Sequence, residues 1–120
     1  MSNLTEFDYG IAEYIWKILM IQQMKVLSWG VDPDSVNTIT NGTEFHVQGF
    51  LMTGTVRILY DEGMDLFNLE FQPDENTSEP EKVEGVYFDS LVDTIDSHVE
   101  YDANYQENIE KAYTIVEVEV

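Results

Sequence analysis

The sequence predicts an α+β fold: a long N-terminal helix packed on a four-stranded antiparallel meander, then two acidic helices and a strand-like C-terminal tail. Three observations predict it. Small turn residues with Gly (Asn41-Gly42, Thr53-Gly54 and Glu62-Gly63) punctuate β-rich runs between residues 36 and 71, the usual hairpin signal. A capped, largely apolar run precedes them. Two later segments space their apolar residues at the helical period.

The first helix spans Thr5 to Trp29. Thr5 suits the N-cap, with Asp8 three residues on as in a capping box. Asp8 and Glu13 precede Lys17 and Lys25, the order that the helix dipole favours. Gly30 is the expected stop, with Pro33 beyond it. Between Ile15 and Met24, apolar residues point in nearly every direction, so this helix should be covered on more than one side. Asp32-Pro33-Asp34 opens like a calcium loop, but Asn37 and Thr43 stand where such a loop needs Gly and Glu.

The predicted strands are 36–40, 43–52, 55–61 and 64–71. With two-residue turns, Val36 faces Val47, Leu51 faces Val56, Gly49 faces Ile58, Val56 faces Leu69 and Ile58 faces Phe67. One face then carries Val36, Phe45, Val47, Leu51, Val56, Ile58, Tyr60, Phe67, Leu69 and Phe71. Gly49 lies among them, which lets a helix approach closely. The other face is mixed, and Phe50, Leu59 and Leu66 on it form a candidate apolar contact surface.

Residues 72–84 read as a flexible acidic loop, with Pro73, Pro80 and five acids. Phe88 to Val99 reads as a helix with Phe88, Leu91, Val92, Ile95 and Val99 along one stripe. Asp102 caps a further helix to about Tyr113, and residues 114–120 alternate like a strand that pairs with an edge of this sheet or a partner's. The whole, 1–120, reads as a single domain, and its 43% hydrophobic content supplies a core.

Charge sets this chain apart. Residues 1–60 hold six acids and three bases, whereas residues 61–120 hold 18 acids and two bases. The net charge of -19 opposes direct contact with nucleic acid or an anionic membrane and favours a basic protein partner. There is no cysteine, hence no thiolate chemistry and no Cys-based zinc site. Residues 1–7 show no basic leader and no apolar run is membrane-length, so a cytoplasmic protein is expected. His46 and His98 lack ligand-spaced companions, and no phosphate loop or nucleophile motif is present. We therefore expect no enzyme, metal or cofactor.

Asp89, Asp93, Asp96 and Glu100 recur at i, i+4, i+7 and i+11. They share a helix face opposite the apolar stripe, at an axial spacing of about 4.5–6 Å, broadly the scale of phosphates along a DNA strand. Glu107 and Glu110 extend the acidic character. The expected function is a non-enzymatic, acidic protein-binding module, in its pointed form a DNA mimic that occupies a basic nucleic-acid-binding protein. The bland counterpart is an ordinary solvated helix face. The alternative is a small dimeric chaperone or adaptor that binds through apolar surface, with Trp16, Phe50, Leu59 and Leu66 as its candidates. In composition the chain resembles small acidic dimeric α/β chaperones of secretion systems, whose order of elements differs.

Self-repulsion at this charge predicts that added neutral salt raises the melting temperature by screening. A flat or falling melting temperature in a salt series would show that repulsion does not limit stability.

Overall fold

A computed structural model describes residues 3–75 and 79–100. Helix α1 (Glu6–Ile21) and short helix α2 (Gln23–Ser28) lead into a 3-10 turn at Pro33–Ser35. Strands β1 (Asn37–Ile39), β2 (Gly42–Gln48), β3 (Thr53–Asp61), β4 (Leu66–Pro73) and β5 (Glu81–Val86) follow. A second 3-10 turn (Phe88–Ser90) opens helix α3 (Leu91–Val99). The five strands form one antiparallel sheet in sequence order. The class is α+β, as predicted, with one strand more than expected. No helix among the described residues is long and apolar enough to cross a membrane. The predicted helix to Tyr113 and the strand-like tail lie outside the described residues.

The start of α1 follows its sequence signal. Thr5 Oγ1 accepts from the Asp8 amide at 3.2 Å, and the Asp8 carboxylate accepts from the Thr5 amide at 2.9 Å. The second Asp8 oxygen accepts from the Asn41 amide at 2.8 Å. A residue read only as a cap therefore also ties the helix to the β1–β2 turn, and it is buried. The Asn41 and Thr5 amides hold its carboxyl below the usual carboxylate range, against desolvation, which acts the other way.

The predicted helix to Trp29 is broken at Gln22, whose backbone leaves helical geometry at φ -114, ψ 56. Neither Gly nor Pro marks the break. The bend is tertiary: it turns Val26 and Trp29 into the core, where both are buried. Trp29 and Gly30 carbonyls then accept from the Gln48 amide at 2.9 and 3.2 Å, which closes the end of α2 onto β2.

All three predicted hairpin registers shift. The first turn is Thr40-Asn41, so Ile39 faces Gly42; Asn41 takes the left-handed conformation at φ 60. Gly42 lies in the strand, where a Cβ would collide with the Ile58 carbonyl. The β2–β3 loop is Gly49–Met52, which puts Thr53 and Gly54 inside β3 and sets Phe45 against Val56. The β3–β4 loop is Glu62–Asp65, and Val56 faces Phe71 instead of Leu69. From the end of β3 the Tyr60 phenol donates to Asp65 of that loop at 2.6 Å, and this bond, with desolvation, pushes its pKa up to about 12. Each shift is an even number of residues, so every side chain that stays within a strand keeps its predicted face.

Phe45, Val47, Val56, Ile58, Phe67, Leu69 and Phe71 are buried on that face. They pack in one core with Ile11, Ile15, Ile18, Leu19, Val26 and Trp29 from the N-terminal helices, and with Leu91, Val92, Ile95 and Val99 from α3. Val36 and Leu51, predicted to join them, fall outside the strands and are exposed. The opposite face is polar at its centre: Arg57 lies between Glu44 at 3.0 Å and Glu70 at 3.8 Å on the flanking strands.

The reading of 72–84 as a loop is corrected at both ends, where β4 runs on to Pro73 and β5 begins at Glu81. Only Val83 and Val86 are apolar in β5, and their spacing of three residues hides any alternation. A bulge resolves the mismatch: Leu69 faces Val83 and Phe67 faces Val86, so three residues of β5 span two of β4. Gly85, at φ 72, donates to the Asn68 side chain within the bulge. The remaining charged residues suit a solvated edge strand.

Because the Asp8 carboxyl is held low in the fold, its stabilisation is complete above the unfolded carboxylate range, near pH 3.9. It is lost as pH falls through the lower, folded value. The melting-temperature gap between the native chain and Asp8→Asn should therefore be widest near neutrality and close in acid. A gap that is constant with pH would show that the charge of Asp8 contributes nothing.

Candidate functional site

The acidic row of α3 is the first candidate, and most of it is engaged within the fold. Asp93 accepts from Lys25 Nζ at 2.6 Å. Asp96 accepts from the indole N–H of Trp29 at 2.9 Å. Glu100 accepts from the Phe50 amide at 2.7 Å. Only Asp89, in the turn that precedes α3, is exposed and makes no hydrogen bond or ion pair among the described residues. Lys25 has its pKa raised chiefly by the Asp93 hydrogen bond, opposed by desolvation and assisted by the charges of Asp93 and Asp96. Glu107 and Glu110 lie outside the described residues.

These contacts seat α3 on the rest of the fold. Trp29 is fully buried, and an indole N–H in a core needs an acceptor; Asp96 supplies it. At the other end, the β2–β3 loop closes the helix C-terminus: the Leu51 amide donates to the Val99 carbonyl at 2.8 Å, beside the Phe50–Glu100 bond. A helix end leaves such carbonyls unsatisfied, so an external donor stabilises it. Gly49 allows the approach, since a Cβ there would collide with the side chain and carbonyl of Val99. Residues 49–52 therefore form the loop, and the Thr53-Gly54 signal is overridden.

Both histidines have local partners. His98 stacks on Phe71 at 4.5 Å and 6°, with Nδ1 2.9 Å from the Thr94 carbonyl and Nε2 3.5 Å from Glu81. His46 lies 2.7 Å from Asp74. Among the described residues, no three His, Asp or Glu side chains gather in a way that could hold a metal ion.

The four apolar candidates do not form one surface. Trp16 is half-buried, donates its indole N–H to Thr43 Oγ1 at 3.1 Å and packs on Phe45 at 5.1 Å. Leu59 and Leu66 are half-buried near the β3–β4 loop. Phe50, 58% exposed, sits in the β2–β3 loop, about 20 Å away along β3 at the usual strand rise.

A different apolar concavity takes their place. Ile18, Ile21 and Gln22 at the end of α1 face Phe88, Asp89 and Val92 at the entry to α3 across a cleft of about 250 Å³. Its floor, Ile18 and Val92, is buried, whereas Ile21 is 79% and Phe88 59% exposed. Met24, three residues past Ile21, is also exposed. The periodicity of 88–99 places Phe88 with the core stripe; the structure puts it in the 3-10 turn ahead of α3, at the surface. The excess of apolar residues around the helix from Ile15 to Met24 was the sequence signal for this surface. Larger, more open hollows lie at the two ends of the sheet. One, about 430 Å³, is lined by Gly49–Thr53 and Pro73–Glu75. Another of about 430 Å³ is lined by Thr40, Asn41, Leu59–Glu62 and Asn68.

No protein-family model, curated protein or solved structure matches this chain.

The Trp29–Asp96 contact yields a direct test. In a double-mutant cycle of Trp29→Phe and Asp96→Ala, we expect a coupling of about 0.5–3 kcal/mol in unfolding free energy. Additive losses would mean that the bond does not fasten α3.

Proposed function

We propose that this protein is a non-enzymatic, acidic protein-binding module whose partner presents a basic surface. The observation that carries the reading is the charge distribution. The second half of the chain holds 18 acids against two bases, and Glu79, Glu84 and Asp89 are exposed in it. A field of that sign speeds encounter with a cationic protein and opposes nucleic acid, anionic lipid and a second copy of the same chain. A nucleic-acid-binding protein is one class of partner with the required surface.

DNA mimicry is the narrower form of this reading. It needs an evenly exposed row of charges, and Asp93, Asp96 and Glu100 already hold Lys25, Trp29 and the Phe50 backbone. The carboxylates left to meet a partner are fewer and less regular than the sequence spacing implies. The cleft between Ile21 and Phe88 favours a second reading, an adaptor that grips an apolar segment.

Affinity capture at about 0.15 M and about 1 M salt, where the Debye length falls from about 8 to about 3 Å, tests the charge reading. The matched control neutralises Glu79→Gln, Glu84→Gln and Asp89→Asn, positions that make no internal hydrogen bond or ion pair among the described residues. We expect basic proteins to be held by the native chain at the lower salt and released by both changes. Proteins held equally under all conditions would defeat the charge reading.

A further inference from the structure

We infer that the cleft between the end of α1 and the entry to α3 receives the apolar side of a basic amphipathic helix from the partner. This inference rests on the acidic-module reading and adds to it the place and form of contact. The cleft is pre-built. Its apolar floor, Ile18 and Val92, belongs to the core, and its two exposed lips, Ile21 and Phe88, come from different elements. The Lys25–Asp93 and Trp29–Asp96 bonds fix α2 against α3 beside it, so opening it requires no rearrangement.

Its size selects the kind of occupant. At about 250 Å³ it falls below the roughly 300–1,000 Å³ of ordinary small-molecule sites. It suits one or two apolar side chains presented by a larger body. A helix laid along such a groove supplies them at i and i+3 or i+4. Exposed Met24, close by in sequence, offers an adaptable surface for further contact.

Charge selects among the helices that could fill it. A second copy brings a net charge of -19. Residues 101–120 of the chain itself hold five acids and one lysine. Both carry the same sign of charge as the protein that carries the cleft. Asp89 stands on the rim, and the lysines of the neighbouring helical segments are already paired, Lys25 with Asp93 and Lys17 with Glu13. An occupant with Lys or Arg flanking its apolar stripe is attracted both by the rim and by the overall field.

The test uses the full chain and a labelled helical peptide of about 18 residues, about five turns, with Leu along one face and Lys along the other. A Ser-for-Leu peptide keeps the charge without the apolar face, and a Glu-for-Lys peptide does the reverse. We expect the Leu/Lys peptide to bind and to shift the Ile18 and Ile21 methyl resonances. Ile21→Ser with Phe88→Ser should weaken it at least about tenfold, with no effect on the weaker Ser/Lys peptide. Asp89→Lys, an exposed rim change that leaves both apolar lip side chains in place, should also weaken it and serves if the double variant fails to fold. Equal binding of Leu/Lys by the native chain, the double variant and Asp89→Lys would overturn the cleft while leaving the charge reading intact. Equal binding of the Leu/Glu peptide would overturn the basic occupant, as would a dimer in sedimentation that the double variant abolishes. Failure of both Lys peptides to bind would remove the acidic-module reading and this inference with it.

Discussion

One constraint organises this molecule: a sheet with a single apolar face must be covered by helices that arrive from opposite ends of the chain. Phe45, Val47, Val56, Ile58, Phe67, Leu69 and Phe71 need a lid, and neither α1 nor α3 supplies all of it. The two therefore meet over the sheet, together with α2. Burial holds them there without direction, because the hydrophobic effect specifies area and not orientation. Orientation comes from polar contacts at the seams: Asp8 to Asn41 under α1, Lys25 and Trp29 to Asp93 and Asp96 between α2 and α3, and the 49–52 loop at the end of α3.

The acids of this protein thus divide into two populations. Asp8, Asp93, Asp96 and Glu100 are structural acceptors that satisfy backbone amides, a buried indole or a lysine. Glu79, Glu84 and Asp89 face solvent and shape the field. Net charge alone does not separate the two, since both contribute equally to it. Their roles in binding differ: an acid engaged internally is already compensated, whereas a solvent-facing one acts at a distance of about a Debye length. The apolar cleft beside Asp89 sits where the second population meets the edge of the core.

Much of this architecture was legible in the chain. Thr5 and Asp8 mark the helix start because a capping box is complete within four residues. The apolar face of the sheet, apart from Val36 and Leu51, follows from alternation, which survives any even slip in register. The turns themselves were misplaced. Thr53-Gly54 carries good turn chemistry, but Gly54 is held in β3 opposite Pro73 and residues 49–52 are engaged by α3. Strand β5 carries no alternation in its sequence, because its bulge places Val83 and Val86 on the same side despite a spacing of three. Of the candidate site residues that the structure describes, Asp89 and Phe50 both stay exposed and adjoin a concave surface, in separate hollows; Trp16 is a core-edge residue bonded to Thr43.

The sequence by itself determined the α+β class, the two faces of the sheet, the cap of the first helix and the acidic field. Each depends on residue type and short-range period, which act over a few positions along the chain. The tertiary structure alone decided the bend at Gln22, the hairpin registers, the edge strand and which carboxylates remain free. Those outcomes depend on which distant amide, indole or carbonyl lacks a partner in the core. Such needs arise only once residues far apart in sequence, such as Gly49 and Val99 or Trp29 and Asp96, have been brought within a few ångströms of one another.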